Sequence, residues 1–146
     1  MEYSPIRHLK DLVGQLDRYF SRRSKDFDVS FLKGPQGFVV VYLSKRGNQE
    51  TRIKDIEENL KVSKSVASDL IKRMEKNGFI RILPSQLDKR AKDISLTPLG
   101  LEKAASLGQF YDAVKREVFE GIQHEDLLTV KRVFDQIHKN LEKRSQ

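Results

Sequence analysis

Apolar residues recur at intervals of three and four over much of this chain, and the breaks between them outline helices of unequal character. Ile6, Leu9, Val13, Leu16 and Phe20 form the first stripe. Ser4 is a good N-cap and Pro5 suits the first helical position, where its missing N–H is no loss. The stripe has the spacing of a coiled-coil seam and ends in the polar run SRRSKD. The stretch GPQGFVVVYLSKRG (34–47) is instead almost wholly apolar at its centre. Its β-branched run within Phe38–Leu43 also suits a strand. The opening proline, and a length of about two to three turns, favour a buried helix.

Residues 53–60, IKDIEENL, place Ile53, Ile56 and Leu60 on one side of a short helix. After the connector Lys61-Val62, Ser63 caps a second helix, KSVASDLIKRMEKN, with a predicted inward face of Val66, Ala67, Leu70 and Met74. Gly78, following Asn77, is a left-handed stop. Alternation over Phe79–Leu83 and Ala91–Leu96 predicts two strands joined by a loop through Pro84 and Asp88. Thr97-Pro98 repeats the cap-then-proline signal and opens a long helix to about Phe119. Its predicted inner face is Leu101, Ala104, Gly108, Tyr111, Val114 and Val118. A last helix carries Leu127, Val130, Phe134, Ile137 and Leu141. Glu125 and Asp126 lie near its start and Lys139, Lys143 and Arg144 near its end, as the helix dipole favours.

Two short helices joined by a tight turn and followed by a hairpin make a winged helix-turn-helix, so the expected fold is mainly α with a small β wing. Ile56, Leu60, Val62, Ala67 and Leu70 fall on the five inner positions of such a helix pair. Lys64, Ser65, Ser68, Asp69, Lys72 and Arg73 then face outward. Short hydroxyl side chains permit close approach to base edges, while long cations reach phosphates.

VSKSVASDLIKRMEKNGFI followed by DKRAKDISLTPLG resembles the MarR family of bacterial winged-helix transcriptional regulators. That family's wing signature, Asp-x-Arg and then Leu-Thr-x-x-Gly, is met by Asp88, Arg90, Leu96, Thr97 and Gly100. The resemblance extends over nearly the whole chain. It implies one subunit over residues 1–146, with a DNA-binding lobe at about 34–97 and dimerisation helices at about 5–24 and 98–143. It also implies a homodimer on double-stranded DNA, with Ser63 and the outward residues of the 63–77 helix in the major groove. Asp88, Lys89 and Arg90 form the wing tip, with Arg90 in the minor groove, whose concentrated negative potential attracts arginine. A small-molecule effector would lie between the dimerisation helices and the lobe, near Tyr19, Phe38 and Tyr42. Asp69 departs from the basic or polar residue that members often carry. Lys33 stands where many have a helix-capping threonine.

Composition narrows the alternatives. The net charge is +7 over 146 residues, 34% of them charged, with a pI near 9.6, which favours a polyanionic partner. Between residues 51 and 97, eleven cationic and seven acidic side chains leave +4, over half the excess in a third of the chain. A nonspecific nucleic-acid coat protein would spread that charge. Cysteine is absent, which excludes disulfides, thiolate metal sites and cysteine nucleophiles. No apolar run approaches a membrane span, and no signal peptide is evident, so the cytoplasm is expected. His8, His124 and His138 are widely separated, and no catalytic constellation or phosphate-cradling glycine loop stands out. No enzyme, cofactor or metal site is therefore expected. The remaining alternative is a winged helix that binds protein without a specific DNA target. Such a surface would show apolar anchors over residues 64–73, where serine and lysine stand instead.

Overall fold

The computed structural model describes residues 2–32 and 34–145; Lys33 lies outside the described residues. The chain forms two compact units, residues 1–111 and 112–146.

The first unit begins with α1 (Pro5–Asp26), where Ser4 Oγ accepts from Arg7 N at 3.4 Å. A single 3-10 turn (Ser30–Leu32) leads to α2 (Pro35–Arg46), so proline and glycine prevail over the β-branched run. Gly37 is obligatory there, because a Cβ would overlap the Leu32 carbonyl. Next come α3 (Ile53–Leu60) and α4 (Lys64–Lys76). The turn between them is closed by Lys61 in the left-handed region, φ 56°. Gly78, φ 84°, ends α4 as expected.

β1 (Ile80–Pro84) pairs antiparallel with β2 (Lys92–Leu96), with Ile82 opposite Ile94 at the centre. A third, one-residue edge is added by Thr51, whose carbonyl accepts from Ile94 N at 2.8 Å. The start of α5 (Pro98–Val118) is fixed to this sheet by Thr97. Its Oγ1 donates to Gly78 O at 2.5 Å and accepts from Gly100 N at 3.0 Å. A Cβ on Gly100 would overlap the Phe79 carbonyl, so the helix can sit this close only on glycine. The Leu-Thr-x-x-Gly signature is thus a wing-to-helix joint.

Two expected inward faces are corrected. Val66 is 51% exposed, and Ile71 takes its place beside the buried Ala67, Leu70 and Met74. Position 66 lies about 100° round the helix from Ala67, at the edge of the apolar arc. In α5, Leu101 is 57% exposed and Gly108 is exposed, whereas Leu107 and Phe110 are buried. The helix is rotated because the Phe110 ring packs at 5.8 Å from both Phe20 and Phe27. Large rings prevail over the small residues on the other face.

The second unit contains the end of α5, a turn with Gly121 at φ 78°, and α6 (His124–Arg144). No residue of α6 is buried. Val130, Phe134, Ile137 and Leu141 are exposed and Leu127 is half-buried. Among the described residues, no helix is long and apolar enough to cross a membrane.

Candidate nucleic-acid interface

α4 buries one face and leaves the other open. Lys64, Ser65, Asp69, Lys72 and Arg73 are exposed and Ser68 is half-buried. Ser63 serves as the N-cap, its Oγ accepting from Val66 N at 3.2 Å. Val66 stands at the margin of this polar face as its one apolar member. Among the described residues, Lys64, Lys72, Arg73, Lys89 and Arg90 form no ion pair, so their charge faces solvent uncompensated.

The wing turn is a hydrogen-bonded structure. Ser85, 6% exposed, accepts through Oγ from Leu87 N at 3.1 Å and Asp88 N at 3.0 Å. Asp88 Oδ1 accepts from Arg90 N at 2.9 Å, an Asx turn, and its Oδ2 lies 3.8 Å from Arg52 Nη1. Asp88, predicted as a DNA contact, is therefore occupied in shaping the tip. Lys89 and Arg90 are exposed there.

Residues that sequence reasoning missed hold this turn from beneath. Glu50 Oε2 accepts from Ser85 Oγ at 2.6 Å, and Glu50 Oε1 accepts from Gln86 N at 2.8 Å. The hydrogen bond from Ser85, and then that from Gln86, hold the Glu50 carboxyl below the ordinary glutamate range. Thr51 N donates to Asp93 Oδ1 at 2.9 Å. Arg46, at the end of α2, donates through Nε to Thr51 Oγ1 and through Nη2 to Glu50 O, both at 2.6 Å. Its guanidinium also lies 5.5 Å from the Tyr42 ring centroid. Glu50 and Thr51 are distant in sequence from the wing residues they hold, whereas Arg46 stands only four and five positions before them.

Of the three residues expected to line an effector pocket, the structure brings two together. Phe38 and Tyr42 join Val41, Lys45, Leu60 and Tyr111 around an open groove of about 560 Å³. Burial raises the Tyr111 hydroxyl above its ordinary value. Tyr19 is not among the lining residues; its ring packs edge-on at 6.0 Å against Phe20. No group of three His, Cys, Asp or Glu side chains that could hold a metal occurs among the described residues.

The MarR family profile matches residues 32–92. Over 94% of this chain and 99% of the other, the crystal structure of heme-free PefR is similar at 45% identity and a TM-score of 0.83. The chain belongs to the MarR family. A structure of the heme sensor protein PefR from Streptococcus agalactiae in complex with heme is also 45% identical, covering 95% of each chain at a TM-score of 0.79. An HTH-type transcriptional regulator of Bacillus subtilis, YybA, is 23% identical over 94% of this chain and 89% of its own length. The winged-helix architecture with its two-stranded sheet is that of MarR-type structures, and this MarR-family chain is a transcriptional regulator by membership.

Proposed function

We propose that this MarR-family regulator binds a pseudo-palindromic operator as a homodimer in the cytoplasm, under the control of a small-molecule effector. The observation that carries the DNA reading is the pairing of an exposed, uncompensated cationic α4 face with an exposed Arg90 at the tip of a hydrogen-bonded wing. α4 lies in the major groove, where Ser65, Ser68 and Asp69 meet base edges and Lys64, Lys72 and Arg73 meet phosphates. Val66 is placed to contact a thymine methyl group. Lys89 and Arg90 reach the adjacent minor groove. The exposed stripe of α6 forms the dimer seam together with α1 and α5, and a two-fold dimer requires half-sites about one helical turn apart. A selection of bound sequences from random duplex DNA with wild type, Arg90→Ala and Asp69→Asn tests this reading. Arg90→Ala is expected to bind every selected site more weakly, most of all where the flanks are A·T-rich. Asp69→Asn is expected to change the preferred base by about 1–3 kcal/mol. An unchanged affinity of Arg90→Ala would refute the minor-groove contact.

For the effector, the kinship with a heme sensor supports heme. The donor chemistry of this chain fits it, since exposed imidazoles stand beside exposed apolar side chains. His8 is flanked by Tyr3, Ile6 and Leu12, and His124 by Phe119, Ile122 and Leu128. Each of these imidazoles is by itself a proposed axial ligand to heme iron, and the two are tested separately. Held by either histidine, heme would supply a ligand-dependent bias between DNA-competent and incompetent states. The aromatic groove at Phe38 and Tyr42 is the proposed site for a smaller planar effector, with Lys45 at its edge for an acidic group. Hemin titration followed by its absorption spectrum, on wild type, His8→Ala, His124→Ala and Tyr42→Ala, separates the two. Loss of the wild-type spectrum in a histidine variant supports heme, and an absence of binding to wild type refutes it.

A further inference from the structure

The wing turn would be a short exposed hairpin end if nothing held it, and two-stranded hairpins are marginal in water. Among the described residues, its base is hydrogen-bonded to one side chain from outside the hairpin, and Arg52 lies 3.8 Å from Asp88 at its tip. Glu50 precedes α3 and receives two hydrogen bonds from the base of the turn, one on each carboxylate oxygen: Ser85 Oγ at 2.6 Å and Gln86 N at 2.8 Å. Ser85 in turn organises the tip through the amides of Leu87 and Asp88, and Asp88 accepts from the amide of Arg90. An unbroken path of hydrogen bonds therefore runs from Glu50 to the backbone of Arg90.

Glu50 is itself fixed. Its carbonyl accepts from Arg46 Nη2 at 2.6 Å, and its neighbour Thr51 is 1% exposed and bonded to β2 through both backbone groups. The carboxylate is thus a rigid bracket anchored to the body of the lobe. Arg52 Nη2 lies 3.9 Å from Glu50 Oε2 and its Nη1 lies 3.8 Å from Asp88, so one guanidinium balances both carboxylates.

We infer that Glu50 is the positioning residue of the wing, setting the orientation from which Arg90 is presented. This rests on the reading that Arg90 reaches DNA. Glu50 touches no DNA in this scheme; as an anion it would be repelled by phosphate, and it acts through Ser85 and Gln86.

Two measurements on the full-length chain test the assignment and separate it from that reading. The first needs no DNA. In Glu50→Ala, amide exchange at Gln86, Leu87, Asp88 and Arg90 is expected to accelerate about 10-fold, while Leu70 and Ile71 of α4 keep their protection. Glu50→Gln, which keeps one acceptor oxygen, falls between. Unchanged exchange at the four wing amides would overturn the inference, as would a loss spread equally over α4. The second is a double-variant cycle on the duplex selected by wild type. Arg90→Ala is expected to weaken binding about 10-fold and Glu50→Ala about 5-fold, with the double variant within about 2-fold of Arg90→Ala alone. Multiplying losses would show that Glu50 acts elsewhere and overturn its positioning role. Wild-type affinity in Arg90→Ala would refute the minor-groove reading, while the exchange data would still decide whether Glu50 holds the wing.

Discussion

In α4, Ala67, Leu70, Ile71 and Met74 are all buried within one chain, whereas α6 repeats a similar apolar periodicity over 21 residues with no residue fully buried and only Leu127 of the stripe half-buried. The outer faces differ as well. α4 turns serines and unpaired cations to solvent, while α6 carries local pairs such as Lys131 with Asp135 at 2.7 Å. An amphipathic stripe states that a helix needs an apolar partner; it does not state whether that partner belongs to the same chain. The first region buries its own apolar face and leaves only its cationic face to solvent. The second is incomplete, and burying a stripe of five large side chains is worth several kcal/mol to whatever covers it.

Salt gives the widest separation between the two. In the proposed complex Lys64, Lys72, Arg73 and Lys89 on each subunit would neutralise roughly six to ten phosphates per dimer, so DNA affinity should fall about 10³–10⁵-fold between 50 and 200 mM salt. Dimerisation through the apolar α6 stripe should be nearly indifferent over the same range. Fluorescence anisotropy and sedimentation on one sample series check both, and a flat DNA response would favour a protein partner for α4.

Breaking the second region should damage the function of the first. Phe134→Glu with Ile137→Glu is expected to give a folded monomer by sedimentation. Its affinity for a two-half-site operator should fall about 10²–10⁴-fold, because the half-sites are no longer linked. A variant that stays dimeric would place the seam elsewhere.

Gly100→Ala attacks the first region alone. The new Cβ must push the Phe79 carbonyl aside, which should cost about 1–3 kcal/mol and lower the thermal midpoint while leaving the subunit association unchanged. Equal stability to wild type would mean that the joint can relax.

Acid gives the smallest contrast. The Glu50 carboxyl is lowered in the folded chain, chiefly by Ser85. Its stabilising contribution is therefore complete above the ordinary glutamate range and is lost as pH falls through the lowered folded value. Wing amide protection should be level from neutral pH downward and decline only below about pH 4. Asp135 is lowered likewise by Lys131, but that exposed pair contributes little, so α6 helicity should scarcely respond. A wing that loosened between pH 6 and 7 would require another titrating group.

The elements that could be read from the sequence are those whose ends are written locally. Ser63, Gly78, Thr97 and the prolines fixed the bounds of α2, α4 and α5, and the wing-and-helix pattern carried the fold. The face of α5 was not legible. That helix has apolar or small residues nearly all round, and its rotation is decided by Phe20 and Phe27, some 80 to 90 positions earlier. Val66 was misplaced because three-four spacing alone does not mark where an apolar arc ends. In the candidate site, the exposed serines and cations of α4 were visible as a periodic polar face. The Glu50–Ser85 and Thr51–Asp93 bonds, 35 and 42 residues apart, leave no trace in any local pattern.

The joint at Thr97 has a mechanical consequence. One hydroxyl ties the stop of α4 at Gly78 to the first turn of α5 at Gly100, and the missing Cβ lets the two backbones meet without a cushion of side chain. Such a coupling has almost no slack. If the junction does not yield, a tilt of the first turn of α5 would swing the far end of α4 as a lever swings its load. Control of where the serines and lysines of α4 point would then need no contact with α4 at all; it would need only a hand on α5.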